Sequence, residues 1–291
     1  MSASAAATTV GVSSGSGSGV DAPALEMVGV SAAYGPYRAL FDVSFAVPAG
    51  GITALIGSNG AGKSTVARVA SGLLATSTGT VWLDGRDVTG WPAYKMARIG
   101  MAHVPEGRGV FASLTVEENL KLTFRQRGGR RTVADSLERA YEVLPLLAGR
   151  RHQRGGTLSG GEQRILSLAK VLVVPPRILV ADEISLGLAP LMTDVVYDGL
   201  RRINQAGTAL LIVEQQVHRV LEIAENAVVL EHGSVAYQGP SPGAMGAVEH
   251  IMGARERAEA RGGDEVETGR TDEVSGSNSE YDGQDNGESG T

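Results

Sequence analysis

Extended apolar segments alternate with amphipathic segments along the middle of the chain. Residues 51–57 (GITALIG), 177–183 (RILVADE) and 208–214 (TALLIVE) are short and mostly apolar, and the last two end in charged residues. Runs of this kind are typical of strands that are buried in a parallel sheet. Residues 64–74 and 163–174 carry apolar side chains at helical spacing instead. The alternation predicts an α/β fold.

The rest of the chain divides into an insertion and two polar ends. Residues 113–160, between two of the predicted strands, are charged and helical in pattern, which favours an inserted subdomain over a further layer of the sheet. Residues 1–24 are mostly Ser, Gly, Ala and Thr, and residues 255–291 are rich in Gly, Ser, Asp and Glu. Both ends have too few large apolar groups to offset the entropy of ordering. We therefore predict a disordered arm, a folded domain at 25–254 and a disordered acidic tail.

Composition excludes several classes of protein. The formal net charge is −6, but residues 255–291 alone carry −7, so the remainder of the chain is at +1. A core this close to neutral offers no broad basic surface for a duplex, and nucleic acid is not an expected partner. The absence of cysteine excludes a disulfide scaffold, thiol catalysis and a thiolate zinc site. No apolar run approaches the roughly 18 residues of a membrane-spanning helix.

A glycine-rich segment follows the first of these predicted strands. Residues 57–64 (GSNGAGKS) match the pattern G-x-x-x-x-G-K-[ST] between a predicted strand and a predicted helix. Glycines let successive N–H groups face one anion, and the helix that follows adds its positive N-terminal end. Lys63 is expected to reach the β- and γ-phosphates and Ser64 to bind Mg²⁺, whereas the alternative is an ordinary glycine-rich turn. The predicted site for a nucleoside triphosphate consists of Gly57, Ser58, Asn59, Gly60, Ala61, Gly62, Lys63, Ser64 and Thr65.

Two adjacent carboxylates end the predicted strand at 177–183. Asp182 is expected to hold Mg²⁺ through water, and Glu183 to polarise the water that attacks the γ-phosphate. Because side chains alternate along a strand, neighbouring residues can divide these two roles. The alternative is a strand whose charged end meets solvent.

The segment 158–163 (LSGGEQ) identifies the family. With this segment the chain resembles the ATP-binding subunits of ABC transporters, whose signature is LSGGQ or LSGGEQ. Small residues and free N–H groups at the start of a helix can close on a γ-phosphate. In the family that phosphate is held by the partner subunit, so a chain with one phosphate loop and one signature is expected to form a dimer. The alternative for this segment is a Ser/Gly linker. The resemblance assigns Ser159, Gly160, Gly161 and Glu162 to nucleotide binding.

The resemblance also implies a fold and three further site residues. The fold is a P-loop NTPase of the ABC ATPase type, with a mixed or parallel sheet core, an N-terminal antiparallel β subdomain and a helical subdomain at about 108–165. Tyr34 occupies the position of an aromatic that stacks on adenine, although a core tyrosine is an alternative. Glu106 stands where the family usually has a glutamine that senses Mg²⁺ and the attacking water, and a carboxylate is a good Mg²⁺ ligand. Gln215 replaces the usual switch histidine, which contacts the γ-phosphate, so the resemblance assigns it to catalysis together with Glu183. Its side chain can donate a hydrogen bond without carrying a charge. A solvated strand end is the alternative at both of these positions.

Several shorter segments indicate which ABC subunit the chain resembles. Residues 104–108 (VPEGR), 114–120 (LTVEENL), 185–190 (SLGLAP) and 213–215 (VEQ) are similar to branched-chain amino acid importers, and within them to the second ATPase subunit, the LivF type. This resemblance implies ATP hydrolysis coupled to uptake of branched-chain or other hydrophobic amino acids, at the cytoplasmic face of the membrane. The implied partners are a second ATPase subunit, paralogue or self, two permease subunits and, indirectly, an extracytoplasmic solute-binding protein. The alternatives are urea or amide importers, lipid or lipopolysaccharide transporters and, outside transport, another ABC ATPase.

The acidic tail carries none of these motifs, so we expect ATP turnover without it. A chain that ends at residue 254 should release phosphate from ATP at the rate of the full chain, measured at steady state under identical conditions. A collapse of turnover in the shortened chain, with its thermal unfolding unchanged, would contradict this prediction.

Overall fold

Two β-sheets and a group of helices make up the described part of the chain. The computed structural model describes residues 22–106, 109–127 and 132–251. The chain divides after Val248, and the architecture below is that of the described residues before this point. The predicted tail lies outside the described residues, and so does the predicted arm apart from its last three positions.

The strands of this part are β1 (Leu25–Tyr34), β2 (Tyr37–Val47), β3 (Ile52–Gly57), β4 (Thr78–Leu83), β5 (Arg86–Asp87), β6 (Met101–Val104), β7 (Ile178–Asp182), β8 (Ala209–Glu214), β9 (Asn226–Glu231) and β10 (Ser234–Pro240). Its helices are α1 (Lys63–Ala70), α2 (Ala93–Arg98), α3 (Val116–Arg127), α4 (Val133–Val143), α5 (Pro145–Ala148), α6 (Gly160–Leu172), α7 (Pro190–Gln205) and α8 (Val217–Leu221). A 3₁₀ turn spans Gly155–Thr157, and residues 241–248 are also helical.

The larger sheet has the strand order β10-β9-β3-β8-β7-β6 and is parallel except for the antiparallel pair β9 and β10. The three strands predicted from apolar runs are β3, β8 and β7, which pair with one another at its centre. Every residue of β7 and β8 is buried, which explains why both read as continuous apolar runs rather than as alternating patterns. The α/β prediction is confirmed.

The smaller sheet is antiparallel, with the strand order β2-β1-β4-β5. It contains the N-terminal antiparallel strands that the family resemblance implied. Its apolar side chains share one buried cluster with α1 and the larger sheet, including Val30, Leu40, Val66 and Leu211. Ala24, which the sequence placed in the arm, belongs to this fold because it is buried and its N–H donates to Val47 O at 2.9 Å.

Helix α1 ends four residues before its predicted end at Leu74. Gly72 has a φ of 68°, and a Cβ at this position would lie 2.4 Å from the Trp91 carbonyl oxygen, so the turn requires glycine. The Gly72 N–H donates to Val69 O at 3.0 Å and the Leu73 N–H donates to Arg68 O at 2.8 Å. These two bonds form a Schellman motif, which stops the helix although the apolar pattern continues.

Helices α3, α4, α5 and the signature helix α6 share a second buried cluster, centred on Leu120, Phe124, Leu147 and Leu166. These helices correspond to the predicted helical subdomain at about 108–165, whose bounds stay a prediction. Within the described ranges, no helix has both the length and the apolar character that crossing a membrane requires.

A buried amide joins this group of helices to the loop before it. Asn119 has no exposed surface, and its Nδ2 donates to the carbonyl oxygens of Phe111 at 3.0 Å, Leu114 at 3.3 Å and Thr115 at 3.0 Å. Its Oδ1 accepts from the Phe111 N–H at 2.8 Å. One side chain therefore bonds to one backbone N–H group and three carbonyl oxygens within residues 111–115.

We expect Asn119→Leu to destabilise the fold by about 3 kcal/mol, because a side chain of similar size would remove these four hydrogen bonds and the Phe111 N–H would lose the acceptor Asn119 Oδ1. Urea unfolding of the full chain measures the change. Arg201→Ala is the matched control, because its ion pair with Asp198 is exposed and should contribute under about 0.5 kcal/mol. Equal midpoints for both variants would contradict the prediction.

Candidate functional site

The phosphate loop connects β3 to α1 in a shape that requires glycine. Gly60 and Gly62 have φ values of 80° and 104°, a region that other residues rarely adopt. A Cβ on Gly62 would also lie 2.9 Å from Leu40 Cδ2 and 3.1 Å from the Ala39 carbonyl oxygen. A Cβ on Gly57 would lie 2.5 Å from the Leu230 carbonyl oxygen. The loop pattern is thus fixed by its own turns and by close contact with the strands around it.

The one lysine of the loop is held inside it. Lys63 is 4% exposed, and its Nζ donates to Gly57 O at 3.0 Å and to Ser58 O at 3.2 Å. The same Nζ lies 3.6 Å from Glu183 Oε1. Because burial strengthens electrostatic interactions, this single positive charge acts strongly on any anion in the loop.

A cavity of about 390 Å³, which we term the loop cavity, opens at this point. It is large enough for a small-molecule ligand. Its described lining consists of the loop residues Asn59, Gly60, Gly62, Lys63, Ser64 and Thr65, the β2 residues Arg38, Ala39 and Phe41, and Glu183, His232 and Gly233. The cavity therefore joins the predicted phosphate site to the predicted general base.

Glu183 leaves the end of β7 in an unusual backbone conformation. Its φ is 47°, the left-handed region, which costs roughly 1–2 kcal/mol for a residue with a Cβ. Its N–H donates to Val213 O at 2.9 Å, and its carbonyl oxygen accepts from Arg164 Nη1 at 2.7 Å. Its Oε1 accepts from Gln215 Nε2 at 2.8 Å. The structure thus brings together the two residues that the sequence assigned to catalysis.

Asp182, the last residue of β7, has the properties of a cation ligand. It is 3% exposed, and its Oδ1 has no hydrogen-bond partner among the described residues. Burial, together with the charges of Glu183 and Glu106, raises the pKa of this carboxyl to about 6. A cation beside the unpaired oxygen would offset both the burial and the repulsion.

The surroundings of Asp182 fit Mg²⁺. Ser64 lines the loop cavity at the start of α1, and Glu106 is exposed but close enough for its charge to act on Asp182. In the described ranges, no three His, Asp or Glu side chains form a group that could hold a metal ion. Mg²⁺ does not require such a group, because it binds through one or two protein oxygens together with phosphate and water. The predicted roles of Ser64, Glu106 and Asp182 stay predictions that this arrangement supports.

Glu214 is a site residue that sequence reasoning missed. It is 1% exposed, its Oε1 accepts from the Ser185 N–H at 3.1 Å and its Oε2 accepts from the Gln215 N–H at 3.4 Å. Burial raises the pKa of its carboxyl, and these hydrogen bonds oppose that shift. The carboxylate joins the turn after Glu183 to the end of β8, and its only signal in the sequence is a charge at the end of an apolar run.

The described lining of the loop cavity contains the aromatic ring of Phe41 and not that of Tyr34. Tyr34, at the end of β1, is 40% exposed, and its hydroxyl accepts from Arg68 Nη1 at 3.1 Å. Tyr34 is not among the described residues that line the loop cavity, whereas Phe41 and His232 are. The Arg38 guanidinium lies 4.9 Å from the centroid of the Phe41 ring. The adenine contact of Tyr34 stays a prediction, and Arg38, Phe41 and His232 are lining residues that the sequence did not indicate.

The signature segment begins α6 with a capping box. The Glu162 N–H donates to Ser159 Oγ at 3.3 Å, and the Ser159 N–H donates to Glu162 Oε2 at 2.9 Å. The other Glu162 oxygen pairs with Arg150 Nε at 2.6 Å. The N–H groups of Ser159 and Glu162 are already hydrogen-bonded in this capping box. The free N–H groups expected at the start of the helix are therefore those of Gly160 and Gly161. The nucleotide contacts predicted for these four residues stay predictions.

The signature segment does not contribute to the loop cavity of its own chain, as far as the described lining shows. Its glycines instead present their backbone at the start of α6, where Gly160 is exposed. A nucleotide in the loop cavity would therefore contact the phosphate loop, β2 and Glu183, and not the signature segment of the same chain, within the described lining.

Comparison with known proteins agrees with this geometry. The family model described as ABC transporter matches residues 40–185. The branched-chain amino acid transport ATP-binding protein BraG of Pseudomonas aeruginosa is 40% identical over 210 residues, which cover 71% of this chain and 88% of BraG. The probable branched-chain amino acid transport ATP-binding protein LivF of Archaeoglobus fulgidus is 36% identical over 216 residues, 74% of this chain and 91% of LivF. A solved ATP-binding subunit of an ABC transporter superposes with a TM-score of 0.67 at 27% identity, covering 74% of this chain and 89% of the other.

The chain therefore belongs to the ABC transporter family, with the fold of its ATP-binding subunits. The family and the fold class predicted from the sequence are confirmed. So is the class of activity, ATP hydrolysis coupled to transport.

Replacing Tyr34 tests which aromatic ring holds the base. We expect Tyr34→Ala to weaken ATP binding by about tenfold, because stacking on a base contributes about 1–3 kcal/mol. Binding of inorganic tripolyphosphate should not change, since it has no base. Tyr94→Ala, on an exposed ring of α2, is the control. If calorimetry shows the loss in Phe41→Ala and not in Tyr34→Ala, Phe41 is the stacking residue instead.

Proposed function

We propose that this chain is the ATP-hydrolysing subunit of an ABC importer, which couples ATP binding and hydrolysis at a dimer interface to uptake of branched-chain or other hydrophobic amino acids. One observation carries the chemical part: the Glu183 carboxylate lines the loop cavity, bonded to Gln215 and 3.6 Å from the loop lysine. The solute class rests on BraG and LivF, both named as branched-chain amino acid transport proteins.

The phosphates of ATP are held mainly by the backbone. The N–H groups of residues 57–64 and the N-terminal end of α1 bind oxygens of the β- and γ-phosphates, and Lys63 adds the charge of one ammonium group. Asp182 and Ser64 would hold Mg²⁺, which neutralises phosphate charge and orients the phosphates when it is bound. A near-neutral core can thus bind a polyanion without a broad basic surface.

Glu183 acts as the general base. Its carboxylate accepts a hydrogen bond from a water molecule and takes the proton as the water oxygen attacks the γ-phosphorus, so that the bond to the ADP oxygen breaks. Gln215 donates to Glu183 Oε1 and keeps the carboxylate at the cavity. The same amide contacts the γ-phosphate through a hydrogen bond and not through a charge, since glutamine is neutral.

The complete site requires a second ATPase subunit, either a copy of this chain or a paralogue. The signature segment of the partner closes the loop cavity, because the segment of the same chain lies elsewhere. Two permease subunits form the pathway through the membrane, and a solute-binding protein delivers solute on the other side. The ATPase subunits lie against the permeases at the cytoplasmic face.

We expect Glu183→Gln to retain ATP binding and to lower kcat by at least about 100-fold, the usual contribution of a general base. Phosphate release measures turnover, and light scattering measures dimer formation with ATP. Glu138→Gln, an exposed carboxylate on α4, is the control. Unchanged turnover would refute the assignment of Glu183, and a variant that stays monomeric with ATP and every partner ATPase present would refute the shared site.

A separate assay addresses the solute. The subunit purified with its permeases, in vesicles supplied with the binding protein, should drive uptake of labelled leucine or another hydrophobic amino acid. Uptake of urea or short amides in its place would contradict the proposed solute class, while the proposed ATPase activity would stand.

A further inference from the structure

One face of the signature helix α6 lies against the catalytic region. Arg164, Ser167 and Lys170 are spaced by three residues and therefore share about a third of the helix surface. Lys170 Nζ donates to Gly109 O at 3.0 Å, and a Cβ on Gly109 would lie 2.6 Å from Ser167 Oγ. Arg164 Nη1 donates to Glu183 O at 2.7 Å. The helix that begins at the signature segment thus contacts both the loop after Glu106 and the general base.

Arg164 is partly buried among carboxylates. Burial lowers the pKa of its guanidinium, while the charges of Glu214, Glu106 and Glu183 raise it, in that order of effect. The guanidinium is therefore a cation close enough to three of the carboxylates of the site to interact with their charges. A hydrogen bond from a charged donor to a carbonyl oxygen is stronger than a neutral one and fixes the direction of that carbonyl.

The backbone of Glu183 depends on such bonds. Because its φ is 47°, its left-handed conformation persists only while neighbouring groups hold it. The Glu183 N–H donates to the Val213 carbonyl of β8 at 2.9 Å. The Glu183 carbonyl accepts from the N–H of Leu186, in the turn that follows, at 3.3 Å. Arg164 is the contact that comes from the signature helix.

We propose that Arg164 is a positioning residue: its hydrogen bond to the Glu183 carbonyl holds the general base at the loop cavity and makes that orientation depend on the position of α6. A shift of α6 moves the donor, rotates the peptide after Glu183 and turns the carboxylate away from Gln215. Closure of a signature segment on a nucleotide is thereby linked to the base in the same chain. The inference rests on the proposed function, in which Glu183 is that base.

The kinetic test uses Arg164→Ala and Arg164→Lys in the full chain, assembled with its partner subunits. We expect Arg164→Ala to lower kcat by about tenfold to a hundredfold, the size of effect that misplacing a reacting group produces. KM for ATP and the thermal midpoint should change little, and Arg164→Lys should restore part of kcat by keeping a charged donor. Arg139→Ala, an exposed arginine on α4, is the control. Loss of kcat together with ATP affinity and thermal stability would overturn the inference, as would an unchanged kcat.

A double-mutant cycle separates positioning from a general effect on the fold. In the Glu183→Gln background, Arg164→Ala should not lower the residual rate further, because the base that it positions is already absent. Independent, multiplying losses would overturn the inference.

Hydrogen exchange tests the same contact without relying on turnover. Arg164→Ala should speed exchange in residues 183–188, where the Leu186 N–H donates to the Glu183 carbonyl, and leave residues 52–70 unchanged. If the wild-type complex hydrolyses no ATP, the proposed function fails and exchange still decides whether Arg164 holds Glu183. If the wild type hydrolyses ATP and Arg164→Ala changes neither kcat nor exchange, the positioning role fails and the proposed function stands.

Discussion

The parallel pairing of β3, β8 and β7 is the constraint on which the site depends. Ile56 pairs with Glu214, and Asp182 pairs with Val213, so the carboxyl ends of the three strands are level to within a residue. One part of the site lies at each of these ends: the phosphate loop at the end of β3, Asp182 and Glu183 at the end of β7, and Gln215 after β8. A slip of one residue in either pairing would turn the side chains to the opposite face and separate the groups of the site.

The site accommodates opposite charges by different means. The phosphate loop uses backbone dipoles and one buried lysine, which explains how a chain whose residues 1–254 have a net charge of only +1 can bind a polyanion. The carboxylates differ in their hydrogen-bond partners: Glu214 is bonded to backbone N–H groups and Glu183 to Gln215, whereas one oxygen of Asp182 has no partner in the part of the chain that the structure describes. The unpaired oxygen makes Asp182 the group with most to gain from a cation.

The helical insert and the sheet have separate hydrophobic clusters. Arg164 of the signature helix α6 donates a hydrogen bond to the carbonyl oxygen of Glu183, which follows β7 of the sheet. In the positioning role proposed for Arg164, this bond transmits a shift of α6 to Glu183. The capping box of Ser159 and Glu162 satisfies two backbone N–H groups at the start of α6.

The sequence alone determined the features whose physics is local. Consecutive apolar residues identified the buried strands, the spacing of glycines and lysine identified the phosphate loop, and the signature identified the family. The early end of α1 depends on the close approach of Gly72 to the Trp91 carbonyl oxygen, which the sequence does not show. The capping role of Glu162 is present in the sequence as the pattern S-x-x-E, but the sequence analysis did not assign it.

Only the tertiary structure decided which distant groups meet. Sheet register and helix packing bring together residues with no fixed spacing along the chain. They place Arg164 against Glu183, Glu214 against Ser185, and Phe41 in the lining of the loop cavity. A hydrogen bond requires atoms within about 3 Å, whereas a sequence pattern specifies only the kind of element on which a residue lies. The chemistry of this site was therefore predictable from short motifs, and its positioning contacts were not.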